Sequence, residues 1–515
     1  MRRILTVLLA LAGLACAAPA LAVDRGLGAA VPKPVVTGTP WTDPEISALD
    51  ANLDIALAGA QTLRGAHVGI AVIDARDGRV LYQRNPDELF QPASTFKLVV
   101  GSAALDKLGP EFRFRTDVLA EGEVRNGELQ GRLVLRGGGD PFLSARDLDG
   151  AADAVAKAGI TGVRSGVLID DAHFEPPGYP PGWTWDDFPY YYAPVVSALT
   201  FEENVVHLTV TPGESAGAPA RVSAAPVGLV AVPIEGCQPG VAVRVVPHVV
   251  TAAADAKDTV DVRRDRAGCI HLDGAIPLGS KPDTIDAAVV SPAAYAYEAF
   301  AAALGAHGVR VPLTAPTGWP DEHRFAGPPA ADAKIVWAHD SEPLRDALAD
   351  LWLPSDNLVA ELLLRQLGFA QDGVPGTTAH GAAAERTWLK TLGIDADAIA
   401  IEDGSGLSTY DRITPRDLVL VLKHDWDGPH RELVLDDLPI AGVRGTLASG
   451  YAGTPAAGRI FAKSGSFSHV NALAGYAANV KHGALVFAFL VDDWVGTSAD
   501  LRELRARVLA RFVDD

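Results

Sequence analysis

The sequence predicts an α/β fold: a sheet with helices on its faces, split by a large, mainly β insertion of one or two domains. Three observations predict it. A strand pair followed directly by a helix occupies 68–108. Helical periodicity returns only at Pro343, and a second strand pair and a terminal helix follow it. Between them, from about Phe114 to residue 332, short alternating runs are separated by Gly and Pro.

Residues 1–22 read as a secretory signal. Arg2 and Arg3 form a basic start, Ile4 to Ala18 an apolar region, and Ala20-Leu21-Ala22 a small-residue cleavage site. The apolar region is short for a membrane span of ~20 residues; an uncleaved anchor is the alternative. Cys16 invites a lipidation reading, against which Gly13-Leu14-Ala15 lacks an apolar residue three positions before it. Residues 23–44, rich in Pro, Gly and Thr, read as a flexible lead-in. Asp43 to Leu63 has a helical period. Val68 to Asp74 and Arg79 to Tyr82 flank an Asp77-Gly78 turn and read as a hairpin. The helix opened by Ser94 follows. Within the insertion, 114–332, Gly131 to Arg136 is typical of the strands, and 211–220 and Pro328-Pro329 read as loops. Pro343 to Gly368 is helical. Phe461 to Ala478 and Ala484 to Val491 are two strand-like runs, and Ser498 caps a last helix to Val513. Residues 45–113 and 333–515 are thus expected to form one discontinuous domain.

A chain of 515 residues exceeds what one core usually serves. Its 48% apolar and 21% charged residues suit a well-cored protein, and its net charge of −20 argues against nucleic acid or an anionic membrane as partner. Beyond the expected signal only Cys237 and Cys269 remain. They pair, as an exported chain favours, or they are two separate buried thiols.

Three short stretches carry chemistry. In Ser94-Thr95-Phe96-Lys97 the i and i+3 side chains share a helix face, so the Lys97 amine lies within reach of the Ser94 hydroxyl. A serine hydroxyl is a poor nucleophile until its proton is taken. Lysine takes it only if desolvated or set beside another cation. Two like charges ~4 Å apart at an effective dielectric of ~20 repel by roughly 4 kcal/mol. Alone, the motif reads as an ordinary helix start. The second stretch, Pro354-Ser355-Asp356-Asn357 within a helical segment, offers a hydroxyl and an amide to relay a proton and hold a carbonyl. Alone, it reads as a helix cap. The third, Lys463-Ser464-Gly465-Ser466, opens a strand. A small residue on an edge strand lets substrate backbone approach and pair. Lys463 supplies the second cation, and Ser464 a donor for a substrate carboxylate. Alone, it reads as a polar turn.

Together and in order these motifs form the S-x-x-K, S-D-N, K-T-G set, with Ser464 in place of threonine. The chain resembles low-molecular-mass class C penicillin-binding proteins, of the D-alanyl-D-alanine carboxypeptidase/endopeptidase type, over nearly its whole mature length. The long separation of Ser94 from Ser355 matches that family's insertion. Gly137 to Pro141, Asp403 to Ser408, Leu438 to Gly442 and Gly445-Thr446-Leu447 look like further family signatures. The resemblance implies a penicillin-recognising, β-lactamase-like domain built on an antiparallel sheet. It implies that Ser94 attacks the carbonyl of a penultimate D-alanine and that Lys97 takes its proton. Ser355 with Lys463 would pass a proton to the leaving D-amino acid, and Asn357 would orient the acyl chain. Ser464 and Lys463 would hold the terminal carboxylate on the Gly465 strand, and the Ser94 and Ser466 N–H groups would form an oxyanion hole. Water would release the acyl-enzyme, whereas β-lactams would acylate Ser94 and leave slowly. No metal or organic cofactor is implied. The implied partners are peptidoglycan stem peptides and β-lactams, in the periplasm or cell envelope. A homodimer and, at most, peripheral membrane association are left open.

Other signals compete weakly. Gly213-Glu214-Ser215-Ala216-Gly217 matches a nucleophile elbow, but Pro212 and Ala218-Pro219 flank it where a strand and a helix are needed. Gly137 to Gly139 lacks the G-K-[S/T] of a phosphate loop, and the histidines show no metal-ligand spacing. The aromatic run from Trp183 to Tyr192 reads as packing between domains, or as a wall for the stem with Asp187 (or Asp186) facing its free amine. A β-lactamase or esterase with the same motifs, and a catalytically silent penicillin-binding scaffold, are the alternative functions.

Overall fold

The computed structural model describes residues 31–515 apart from 32, 36, 177, 227–229, 232–242, 313–329 and 331. The expected signal, Cys16, Cys237, Pro328 and Pro329 lie outside the described residues. Cys269 is buried and disulfide-bonded.

Leu49, Leu53 and Leu57 recur every four residues, one stripe of a helix. They are buried on α1 (Asp43–Ala58), which has Pro44 in its first turn. Alternation or continuous apolar runs set the five strands of the main sheet: β1 (His67–Asp74), β2 (Val80–Arg84), β3 (Ile460–Phe467), β4 (Val470–Asn479) and β5 (Gly483–Asp492). Their order is β3-β4-β5-β1-β2, every pair antiparallel. β5 lies in the middle and is buried at every position, hence its unbroken apolar run. The two-residue period divides the sheet between two cores. Leu473, Phe487 and Phe489 pack with α1 and the last helix, α7 (Ser498–Asp514). Ala472, Val486 and Ala488 pack on the other face around α2 (Lys97–Leu108), α3 (Leu344–Trp352), α4 (Asn357–Asp372), α5 (Thr378–Thr391) and α6 (Pro415–Asp427).

The insertion has a separate core that joins Val118, Leu148, Leu208, Val245 and Phe300. One of its sheets is ordered Lys334–Asp340, Arg115–Glu121, Arg132–Arg136, Val167–Asp170. The ingoing and outgoing segments therefore pair side by side, Asp340 opposite Arg115. This corrects the expected boundary at 332: the returning strand runs with the insertion as far as Asp340. Gly213 to Gly217 forms a turn between the paired strands Val205–Thr211 and Arg221–Ala225, with no helix after it.

Three more expectations are corrected. Phe461 to Ala478 is two strands. The chain reverses between Phe467 and Val470, with His469 at φ +64°, and no Gly or Pro marks the turn. Ser355 and Asp356 lie between helices α3 and α4, not within one; Asp356 caps α4 by accepting from Val359 N (3.0 Å). The lead-in is docked at its end: Trp41 is buried and stacks on His482, and Ala484 N donates to Val35 O. Burial of the tryptophan fixes a segment whose Pro/Gly/Thr content suggested freedom.

Beneath α2, Ser102 Oγ lies 2.7 Å from both Asp425 Oδ2 and Leu98 O. One hydroxyl proton cannot serve both, so a protonated Asp425 donates to Ser102, which donates to Leu98. Burial raises Asp425 to about 8. A carboxyl raised in the fold stabilises it fully below its unfolded value of about 4, and that contribution is lost as pH rises through about 8. Thermal unfolding from pH 4 to 9 is therefore expected to show a decline that is shallower in Asp425→Asn, whose amide donates to Ser102 at every pH.

Candidate active site

Residues 93–96 form a tight turn, and α2 begins at Lys97, which is fully buried. Lys97 Nζ lies 3.0 Å from Ser94 Oγ, 2.5 Å from Asn357 Oδ1 and 2.9 Å from Ser405 O. A neutral amine can give its two N–H groups to Asn357 and Ser405, which leaves its lone pair for the Ser94 hydroxyl. Burial, opposed by the charges of Asp403, Asp356 and Glu361, brings Lys97 down to about 8. Burial, rather than the second lysine, is thus the larger cause of its lowering. Lys463 is also fully buried and held well below the usual lysine range, first by burial and then by Lys97. Its Nζ donates to its neighbour's carbonyl, Ser464 O, at 2.8 Å.

Ser355 shares the cleft with Ser94 and adopts φ +75°, an uncommon conformation for a residue with a side chain. Asn357 Nδ2 donates to Tyr192 O at 2.6 Å. Both halves of this amide are therefore engaged, one with the lysine and the other with the aromatic segment.

β3 is the sheet's edge strand. On its open side Ala462 N donates to Pro439 O, so the Leu438 to Gly442 signature covers the strand's first half. By the strand's two-residue period the Ser464 and Ser466 N–H groups point the same way, beyond that cover. Gly465 is required for another reason than substrate approach: a Cβ there would lie 2.7 Å from Ser94 N and 2.9 Å from Pro92 O. The nucleophile's turn is thus pressed against the strand at Gly465, with the Ser94 amide one residue from Ser466. Ser464 Oγ lies 2.8 Å from Thr446 Oγ1, which places the Gly445 to Leu447 signature beside the strand.

The Asp403 to Ser408 signature supplies what motif reading missed. Asp403 accepts from Gly406 N and Ser408 N, both at 2.6 Å, and from Trp183 Nε1 at 2.8 Å. Glu361, one turn along α4 from Asn357, accepts from Gly404 N (3.0 Å) and Ser405 N (2.9 Å). These two buried carboxyls fold the loop so that Ser405 O meets the Lys97 amine. At Gly406, φ is +73° and a Cβ would lie 2.0 Å from Ala93 O, so the loop also clamps the nucleophile's turn.

Asp187 accepts from Thr184 Oγ1 (2.6 Å) and Tyr192 OH (2.9 Å); Asp186 is exposed. Asp187 does not line the cleft. It braces the segment whose Tyr192 carbonyl holds Asn357 and whose Trp183 holds Asp403. The cleft, about 320 Å³, is lined by Ser94, Ser355, Ser464, Gly465 and Ser466, and continues to Tyr451, Asn471, Arg502 and Arg505. The structure thus brings Ser94, Lys97, Ser355, Asn357, Lys463 and Ser464 to Ser466 into one site from three distant stretches.

The sequence pattern of the D-Ala-D-Ala carboxypeptidase 3 (S13) family matches residues 49–512. The chain belongs to that family. A D-alanyl-D-alanine carboxypeptidase of Actinomadura sp. strain R39 is 34% identical over 449 residues, 84% of this chain and 79% of that one. The D-alanyl-D-alanine carboxypeptidase DacB of Haemophilus influenzae is 25% identical over 88% of this chain and 91% of its own. A crystal structure of penicillin-binding protein 4 from Haemophilus influenzae superposes with a TM-score of 0.76 at 23% identity, covering 90% of this chain and all of that one. That likeness shows the family's penicillin-recognising fold with its large insertion.

Proposed function

We propose that the chain is a serine-type D-alanyl-D-alanine carboxypeptidase/endopeptidase that acts on peptidoglycan stem peptides through an acyl-enzyme and is acylated by β-lactams. The observation that carries this reading is the Lys97 amine, 3.0 Å from the Ser94 hydroxyl with its other two directions satisfied. Neutral Lys97 takes the Ser94 proton as Oγ bonds to the carbonyl carbon of the penultimate D-alanine. The Ser94 and Ser466 N–H groups hold the developing oxyanion. Ser355, with Lys463 behind it, delivers a proton to the leaving nitrogen; that C–N bond breaks and the D-amino acid departs. Ser464 donates to its carboxylate. The proton on Lys97 restores Ser355; water then attacks the ester carbonyl, gives a proton to the neutral Lys97 amine, and Lys97 passes it to Ser94 Oγ as the ester C–O bond breaks. Residues 45–113 with the returning part of the chain form the catalytic domain, and the insertion is a separate unit of it. The protein works outside the cytoplasm, in the cell envelope; among the described residues no helix is long and apolar enough to cross a membrane.

The aromatic segment receives the stem beyond the catalytic cleft, and there Asp187, held by Thr184 and Tyr192, meets its free amine. Asp187→Ala is expected to lower kcat/KM about tenfold on amine-bearing stems and to spare acetylated D-alanyl-D-alanine mimics. Steady-state assays on the two peptides check it, and equal losses on both would remove this role. The main test is release of D-alanine from a stem peptide, together with a long-lived penicillin adduct, both lost in Ser94→Ala.

A further inference from the structure

The cleft does not end at the catalytic serines. Its far wall comes from α7, the last helix, through Arg502 and Arg505. These two residues stand three apart and so share a helix face. Arg505 is 9% exposed, yet among the described residues no carboxylate pairs with either arginine. Arg505 Nη1 donates to Asn471 Oδ1 at 2.9 Å, and its Nε–H is buried with no acceptor. The buried Tyr451 hydroxyl, also in the cleft, has no partner either. A buried guanidinium with an idle N–H is costly unless an anion completes it.

The strand's pleat says which anion. Ala462 packs into the core shared with α7, and Phe461 into the core of α2. By alternation Ser464 and Ser466 face the α7 side, while Lys463 and Gly465 face Ser94. Asn471 pairs with Ser466 and shares its face. Lys463, turned the other way, buried and bonded to Ser464 O, brings no charge to the Ser464–Ser466 face. The arginines do.

We infer that Arg505, assisted by Arg502, Asn471 and Tyr451, is the cationic half of a carboxylate subsite that selects substrates with a free carboxylate on the leaving amino acid. The inference rests on the DD-peptidase reading above and assigns that site's anion specificity to the C-terminal helix. The planar fork of Arg505 matches a carboxylate, and Ser464 and Ser466 supply hydroxyl donors from the strand.

The test compares acetyl-D-alanyl-D-alanine with its C-terminal amide. Arg505→Gln is expected to lower the ratio of acid to amide kcat/KM by 10- to 100-fold, and Arg505→Lys to restore part of it. Arg502→Gln, which changes an exposed side chain, is expected to lower the ratio less and keeps the test if Arg505→Gln fails to fold. Equal losses on acid and amide would make the arginines structural, and an unchanged ratio in both variants would overturn the inference. Binding of the two peptides to Ser94→Ala, measured by calorimetry with and without R505Q, separates this inference from the reading beneath it. Should the wild type cleave neither peptide, the peptidase reading falls, while preferential binding of the acid that R505Q removes would still support the subsite. Equal binding of acid and amide would end it.

Discussion

Replacing Lys97 by methionine is expected to slow acylation of Ser94 by about 10²–10⁴-fold, the range that a positioned base contributes. Methionine is unbranched and fills the buried volume, so the loss reports the amine rather than a cavity. The same amine sets the pH profile of the wild type. Only the neutral form accepts a proton, and burial places Lys97 at about 8. The second-order rate of acylation by a penicillin is therefore expected to rise with pH and to level off above about 8, and Lys97→Met loses that rise. Stopped-flow acylation from pH 5.5 to 9.5 checks both. A profile flat through pH 8 would mean that another group takes the proton.

The second large effect is expected at Gly465. Adding one methyl group, in Gly465→Ala, would place a carbon 2.7 Å from Ser94 N and 2.9 Å from Ala93 Cβ. Backbone cannot retreat there as a side-chain tip would, because Gly406 of the Asp403 loop presses the same turn from another side. The turn must shift, and the Ser94 amide leaves its place against the strand at Gly465. Loss of one oxyanion donor costs about 10²–10³-fold in rate. We expect acylation by penicillin to fall by that factor while Lys97 keeps its hydrogen bond to Asn357. Gly465→Ala with undiminished acylation would show that the strand has room to yield.

The chemistry of the site was legible because its motifs are local. Ser94 and Lys97 sit one turn apart, Ser355 and Asn357 two residues apart, and Lys463 to Ser466 run along one strand. Their assembly from three distant stretches was legible only through the family resemblance. What motif reading missed is what acts across the fold. Glu361 is an ordinary acidic residue in the sequence, and Asp403 stands in a stretch that carried a family signature but no role; their work on the Ser405 carbonyl needs α4 and the loop to meet. Arg502 and Arg505 look like helix surface until α7 lies against the strand. The reversal at His469 carries no Gly or Pro, and the pairing of the outgoing strand Lys334–Asp340 with the insertion was hidden because its partner lies more than two hundred residues earlier. The reason given for Gly465 was also incomplete: the space its missing side chain leaves is filled by the enzyme's own nucleophile turn.

The most direct test of the account follows the mass of the purified protein after mixing with penicillin, beside D-alanine release from a stem peptide, in wild type and Ser94→Ala. The account predicts a single adduct of one penicillin mass that persists for many catalytic cycles, D-alanine release that the drug abolishes, and neither in Ser94→Ala. Adduct or D-alanine release that survives in Ser94→Ala would contradict it, as would rapid hydrolysis of the drug without peptide cleavage.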